Sequence, residues 1–188
     1  HDLSVPLGAG RKERVHDPRV GRDHLFLAYP MRSRSDRELA ALSFLAEVLA
    51  GQKDSPLMQQ LREKRGWVYE QGLCRASELP DAWLFMVTLP VAAEHFAEVE
   101  AIYRDVLTEL DAKTVRECQR ASQLARRTSF ECPINACMEV VDEVTIVGRP
   151  MSYGEADSIS DSLTLDEIFG WRDYLLGAEP LVCEVTNK

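Results

Sequence analysis

Two side chains in the stretch from Asp54 to Gly72, DSPLMQQLREKRGWVYEQG, are of types that can act together in catalysis. Arg62 and Tyr69 stand seven residues apart. A guanidinium is a planar donor with a permanent charge and a phenol is a second donor, so the pair could bind a peptide carbonyl or a developing oxyanion. The residues by themselves leave an ordinary alternative open, a solvated arginine on an amphipathic helix and a half-buried tyrosine.

The spacing places the pair across the junction of a helix and a strand. The DSP triplet supplies an N-cap and a first-turn proline, which predicts a helix over residues 56–64. Gly66 is expected to end it. In a strand that begins at Trp67, alternation would place Trp67 and Tyr69 on one face. Arg62, in the last helical turn, could therefore converge with Tyr69 beside a sheet.

Apolar periodicity predicts the remaining elements. The predicted strands are residues 24–30, 67–77, 81–90 and 179–188, and the predicted helices are 36–50, 56–64 and 92–110, with two or three more within 113–176. The second and third strands should form a hairpin through an ELPD turn. This order predicts an α/β (α+β) fold, a two-layer sandwich with a mostly antiparallel sheet and helices packed on one face. Residues 1–22 are predicted to be a linker, and residues 23–188 a single domain.

Composition excludes some classes of partner. Acidic residues outnumber basic ones by 31 to 22, and the net charge is −9. Such a balance argues against nucleic acid as a partner. The five cysteines form no C-x-x-C pair, so free thiols in a reducing space are expected, which favours the cytoplasm with the periplasm as the alternative. No apolar run reaches the ~18 residues of a membrane span, so none is expected.

No metal site is expected within this chain. The four histidines, His1, His16, His24 and His95, form no i, i+4 pair. The segment VAAEH ends like an inverted zinc motif but has Val91 where the first histidine ligand must stand. Glu94 and His95 are therefore interpreted as solvated residues of a first helical turn. A nucleotide site is also not expected, because PLGAG lacks the third glycine of a phosphate-binding loop.

The stretch SPLMQQLREKRGWVYEQG resembles the C-terminal, non-zinc half of the pitrilysin/insulinase family of zinc metallopeptidases, which includes the mitochondrial processing peptidases and many bacterial two-domain proteases. The family pattern is a small-residue turn, a Leu-rich helix with Leu-Arg, a glycine, and a tyrosine opening a strand. It is carried here by Ser55, Leu57, Leu61 with Arg62, Gly66 and Tyr69. A weaker likeness covers nearly the whole chain. Trp67 and Val68 depart from the pattern, which usually has smaller or aliphatic residues there.

The resemblance implies a clamshell of two homologous α/β halves. The first half would hold zinc through His-x-x-Glu-His and a downstream glutamate. The second half would contribute Arg62 and Tyr69, which would hold the substrate backbone and stabilise the tetrahedral intermediate. The helix over residues 36–50 corresponds to the zinc helix but is apolar around Leu42, Leu45 and Ala46. This chain would thus form the opposite wall of a chamber for a peptide or an unfolded protein segment.

Other functions remain open at this stage. The chain could belong to a non-catalytic scaffold or a substrate-capturing subunit of the same family, partnered by a homologous active subunit. It could also be an unrelated α/β ligand-binding domain in which the LREKRGWVY match is chance. Because a separated clamshell half exposes an apolar surface, self-association as a homodimer is a further expectation.

Overall fold

The computed structural model describes residues 10–32, 35–70, 73–79, 82–129, 132–146 and 158–187. The strands are β1 (Lys12–His16), β2 (His24–Arg32), β3 (Cys74–Leu79), β4 (Ala82–Leu89) and β5 (Leu181–Thr186). The helices are α1 (Asp36–Ala50), α2 (Pro56–Met58), α3 (Phe96–Glu109), α4 (Ala112–Ser129), α5 (Pro133–Ile146) and α6 (Leu165–Gly177). A π-helical turn, Gln59–Glu63, continues α2, and a 3-10 turn, Ala93–His95, leads into α3. Among these residues, no helix is long and apolar enough to cross a membrane.

The strands form one five-stranded sheet in the order β1-β5-β2-β4-β3. The pairs β2–β4, β2–β5 and β3–β4 are antiparallel, and β1–β5 is parallel. In the central pair, Leu27 stands opposite Val87 and Tyr29 stands opposite Phe85. A mixed but mostly antiparallel sheet combined with helices confirms the predicted α/β (α+β) class.

The core lies between one face of the sheet and the helices. Alternate residues of β2 point into it because successive strand side chains face opposite ways, and the buried set is Leu25, Leu27, Tyr29 and Met31. Helices α1, α3 and α6 contribute buried side chains such as Leu45, Tyr103 and Trp171 to the same cluster. The intervening β2 residues, such as Phe26 and Ala28, are only half-buried. In the part of the chain described, the second face of the sheet is therefore less covered than the first.

The strand predicted from Trp67 begins instead at Cys74. The reason is that β4, the strand with which it pairs, is too short to bind an earlier start. Cys74 already stands opposite Val87, and β4 ends at Leu89. Residues 67–70 are consequently irregular, and residues 71–72 lie outside the described residues. The hairpin itself is present: β3 ends at Leu79, two residues beyond its predicted end, and β4 lies within the predicted range 81–90.

The hairpin turn is shorter than the ELPD segment suggests. Leu79 pairs with Ala82, so the first two residues of that segment belong to β3. Pro80 and Asp81, the other two, lie outside the described residues. The antiparallel pairing of β3 and β4 thus includes Glu78 and Leu79, which the ELPD pattern had assigned to the turn.

Part of the segment predicted to be a linker belongs to the sheet. Strand β1 pairs in parallel with β5, and its five residues are all exposed. Lys12 Nζ and Arg14 Nη2 each lie 2.5 Å from an oxygen of the buried Glu184 carboxylate on β5. Burial raises the pKa of Glu184, but the hydrogen bonds from Lys12 and Arg14 outweigh burial and leave the pKa below its usual value. The domain boundary at residues 22 and 23 stays a prediction.

The N-termini of α1 and α6 are joined by a polar contact. Ser35 with Glu38 and Thr164 with Glu167 form capping boxes. Arg37 of α1 binds the Glu167 carboxylate, with Nε at 2.5 Å and Nη2 at 2.9 Å. Hydrogen bonds from Arg37 and then from the Thr164 N–H lower the pKa of Glu167 from 4.5 to about 2.

This pKa predicts a pH dependence of stability. A carboxyl whose pKa is lower in the folded than in the unfolded state stabilises the fold at pH values above its unfolded-state pKa. That contribution is lost as the pH falls through the folded-state pKa. We expect the free energy of unfolding to decrease between pH 4.5 and about 2, and Glu167→Gln to flatten the curve there. Denaturant unfolding at a series of pH values measures this. Glu109→Gln, at an exposed position of α3, is the control, and an unchanged slope in Glu167→Gln would contradict the prediction.

Candidate functional site

The helix that carries Arg62 is built as the sequence predicts, with one difference. It begins at Pro56, and Leu57 and Leu61 are fully buried. Its second turn is π-helical, and the N–H of Lys64 donates to the carbonyl of Gln59 at 3.1 Å. π-helical turns are rare and are frequent at functional sites. The wider turn occurs where the candidate arginine stands.

Gly66 ends this helix, as predicted. Its φ is +64°, a left-handed conformation that favours glycine. The Gly66 N–H donates to the Arg62 carbonyl and the Trp67 N–H donates to the Leu61 carbonyl, both at 2.9 Å. Each bond spans one residue more than its counterpart in the Schellman motif of an α-helix. The π-helical turn accounts for the wider closure.

Arg62 has a charged side chain at the domain surface, with 28% of the side chain exposed. Among the described residues, its recorded ion pair is with the adjacent Glu63, where Nε lies 3.5 Å from Oε1. That separation is too long for a strong charge-assisted hydrogen bond. The guanidinium therefore keeps donors for another acceptor.

Tyr69 lies on the other side of the Gly66 turn and is 69% exposed. Its hydroxyl reaches back over the turn, because a Cβ built on Gly66 would lie 3.8 Å from it. The structure thus brings Arg62 and Tyr69 to the same end of one helix. No hydrogen bond joins the two side chains among the recorded contacts of the described residues. The catalytic roles of both residues stay predictions.

The prediction that Trp67 and Tyr69 share a strand face is wrong, because residues 67–70 are irregular. Trp67 is half-buried against the core, Val68 between them is fully buried, and Tyr69 faces solvent. The three consecutive side chains therefore have three different environments. Tyr69 reaches the surface because Val68 occupies the core position.

The interpretation of His95 as a solvated residue is also wrong. Its side chain is only 27% exposed, and its ring stacks on Trp67 with centroids 4.0 Å apart and an interplanar angle of 14°. Glu94 beside it is exposed as expected. Spacing could not reveal this contact, because the two rings are 28 positions apart in the sequence. Their types, a tryptophan and a histidine, were the only available signal.

A metal site does not form among the residues that the structure describes, since no group of three or more His, Cys, Asp or Glu side chains is placed to hold an ion. In α1, Leu42, Leu45 and Ala46 are buried in the core. Those positions, which the resemblance equates with a zinc helix, are used here for packing.

Solved structures share this fold. Similar chains include a peptidase M16 inactive domain from Pseudomonas fluorescens (TM-score 0.67, 21% identity, 94% of this chain and 43% of that chain). A chain of complex III2 from Candida albicans is similar over 95% of this chain and 46% of that chain (TM-score 0.68, 11% identity). A protein described as a zinc protease from Bordetella pertussis Tohama I is similar over 87% of this chain and 94% of that chain (TM-score 0.57, 12% identity).

The chain spans less than half the length of the first two of these structures. No curated protein matches its sequence. The family model for the peptidase M16 inactive domain matches residues 2–123, which is more than half of the chain and includes Arg62, Gly66 and Tyr69. The match confirms the resemblance and excludes an unrelated ligand-binding domain. This chain therefore belongs to the family of peptidase M16 inactive domains.

Proposed function

We propose that this chain is the non-zinc half of a two-half zinc endopeptidase. The observation that carries the proposal is the placement of the half-buried Arg62 and the exposed Tyr69 on the two sides of the Gly66 turn, in a segment that lies within the M16 inactive-domain match. Both side chains present hydrogen-bond donors at the surface. A surface of this kind suits the backbone of a peptide or an unfolded protein segment.

In this function the two residues stabilise charge. The Arg62 guanidinium binds a carbonyl oxygen of the substrate, and the Tyr69 hydroxyl donates a hydrogen bond to the oxyanion of the tetrahedral intermediate. Donors fixed in place before the reaction are worth most where charge develops. Zinc in the complementary half supplies the activated water, and the similar Bordetella pertussis protein described as a zinc protease supports a zinc-dependent parent.

The complementary half needs a surface on which to dock, and α5 offers one. This 14-residue helix has an apolar stripe of exposed side chains at i, i+4, i+7 and i+10, which are Ile134 (73%), Met138 (58%), Val141 (55%) and Val144 (45%). Val140 (44%) is also exposed but lies about 160° round the helix from Met138. An isolated helix of this length is marginal in water, and most helices are stabilised by packing of such a stripe. Within the described residues α5 packs extensively on no other element. The complementary half is proposed to cover it.

Reconstitution tests the proposed function. This chain is combined with a complementary half that carries His-x-x-Glu-His, zinc is added, and cleavage of an unstructured peptide is measured. We expect hydrolysis from the two halves together and none from either half alone. A chelator should abolish the activity, since the nucleophile is zinc-bound water. An assembled complex that retains zinc but hydrolyses no peptide would contradict the proposal.

That contradicting result would favour a second candidate, a non-catalytic scaffold or substrate-capturing subunit. The similarity to a chain of complex III2, whose description names no peptidase, supports this candidate. A scaffold should bind a homologous active subunit tightly through α5 and leave its turnover independent of Arg62 and Tyr69. The two candidates therefore differ in whether these side chains affect the rate.

A further inference from the structure

The Trp67 indole lies between two side chains. The His95 ring stacks on it at 4.0 Å with an angle of 14°, and the guanidinium carbon of Arg65 lies 5.4 Å from the ring centroid. Arg65 is itself held, since its Nη1 donates to the Gln60 carbonyl at 3.0 Å. Stacking and cation–π contacts of this kind add to the effect of burial. Trp67 is consequently fixed from the helix before it and from a separate element.

His95 belongs to an element that is anchored independently of Trp67. It ends the 3-10 turn before α3, and the next residue, Phe96, is buried in the core. The N–H of Ala93 in the same turn donates to Asp23 Oδ2 at 3.0 Å. The stack of His95 on Trp67 therefore ties the Gly66 turn to the start of α3.

Tyr69 depends on the position of this turn. Its ring is 69% exposed, so core packing cannot hold it. The hydroxyl lies over Gly66, and the backbone of Gly66 and Trp67 is bonded to the carbonyls of Arg62 and Leu61. Because Trp67 and Tyr69 are two residues apart on this turn, we expect a displacement of Trp67 to shift Tyr69 relative to Arg62.

We propose that Trp67 and His95 are positioning residues, and that their stack holds the Gly66 turn against α3 so that Tyr69 keeps its place over Gly66, at the helix end that carries Arg62. The expected effect of this positioning on the catalytic rate rests on the proposed function. A displacement of about 1 Å at reacting groups can cost on the order of 10² in rate.

The first test measures the position of the turn without any activity assay. Hydrogen exchange of the Gly66 and Trp67 amides is followed in the 188-residue chain. We expect His95→Ala to speed their exchange by about 2- to 10-fold. This factor corresponds to the free energy that an aromatic pair contributes against local opening. His95→Phe keeps a flat ring against Trp67 and should restore slow exchange. Unchanged exchange in His95→Ala would overturn the proposal.

His24 provides a matched control. Its ring also stacks on an aromatic residue, Phe26, with centroids 5.7 Å apart and an angle of 16°, and it does so on β2. His24→Ala should therefore leave the exchange of Gly66 and Trp67 unchanged. Equal acceleration in His24→Ala and His95→Ala would show a general loss of stability and would overturn a specific role for His95.

The second test uses the reconstituted peptidase. His95→Ala should lower kcat about tenfold with little change in KM, and His95→Phe should return kcat to within about twofold of the parent. If His95→Phe exchanges slowly but turns over as poorly as His95→Ala, the imidazole itself acts, and the positioning role is overturned. If Tyr69→Phe and Arg62→Ala both have normal turnover, the proposed function fails, while the exchange test still decides the positioning.

Discussion

Tyr69→Phe and Arg62→Ala are each expected to lower kcat of the reconstituted peptidase about 10²-fold, the scale of losing one oxyanion donor. Tyr69→Phe removes only the hydroxyl, and the ring can keep its place over Gly66. Arg62→Ala removes the guanidinium from a half-buried position whose ion pair is with its own neighbour, Glu63. Neither change disturbs the core, so the effect should appear in the rate and leave the free energy of unfolding nearly unchanged.

Steady-state kinetics with a zinc determination check this result. Zinc content should stay unchanged, because the proposed function assigns the metal to the other half. Tyr174→Phe and Arg116→Ala are matched controls on α6 and α4, and they should leave kcat near that of the parent. A rise in KM with an unchanged kcat would mean that the pair binds the ground state and the transition state equally. Normal turnover in both Tyr69→Phe and Arg62→Ala, with zinc bound, would refute their catalytic role.

The elements that could be predicted from sequence are those determined by local signals. Helix α1 was predicted over 36–50 and found at Asp36–Ala50, because Ser35 and Glu38 form a capping box at its start and Gly51 follows its end. Strand β2 was predicted over 24–30 and extends to Arg32. In both, an apolar pattern of the correct period agrees with the residues at the element's ends.

Long-range partners explain what the sequence did not reveal. Strand β1 is exposed at all five positions, so it has no apolar alternation to recognise. It exists because β5, some 170 residues later, offers a ladder and the buried Glu184 carboxylate that binds Arg14. The start of β3 is likewise determined by where β4 ends, which no local pattern in WVYEQGL encodes.

In the candidate site, too, local signals could be read from the sequence and long-range contacts could not. Gly66 could be predicted to end its helix, because a left-handed residue commonly follows a helix, and its φ of +64° agrees. The π-helical turn before it has no known sequence signal here. The stack of His95 on Trp67 depends on the packing of α3 beside the turn. Sequence therefore located the segment, and tertiary packing determined how its side chains are held.

The second large effect is expected at α5. Met138 and Val141 stand one turn apart on its apolar stripe and are 58% and 55% exposed. Burying an apolar side chain of this size contributes about 1.5–3 kcal/mol, and a carboxylate in its place must be desolvated without a partner. The double variant Met138→Asp/Val141→Asp is therefore expected to weaken association of the two halves by about 10²-fold or more. Calorimetric titration of the separately expressed halves measures the change.

Tyr174→Asp is the matched control, because Tyr174 is an exposed apolar residue at 40% on a different helix, α6. It introduces one carboxylate outside the α5 stripe, against two in the double variant, and should leave association unchanged. If the double variant binds the complementary half as tightly as the parent does but turns a homodimer of this chain into a monomer, a second copy covers α5. That result would contradict docking of the complementary half at α5, since an apolar stripe buried in that interface could not accept two carboxylates without loss of affinity.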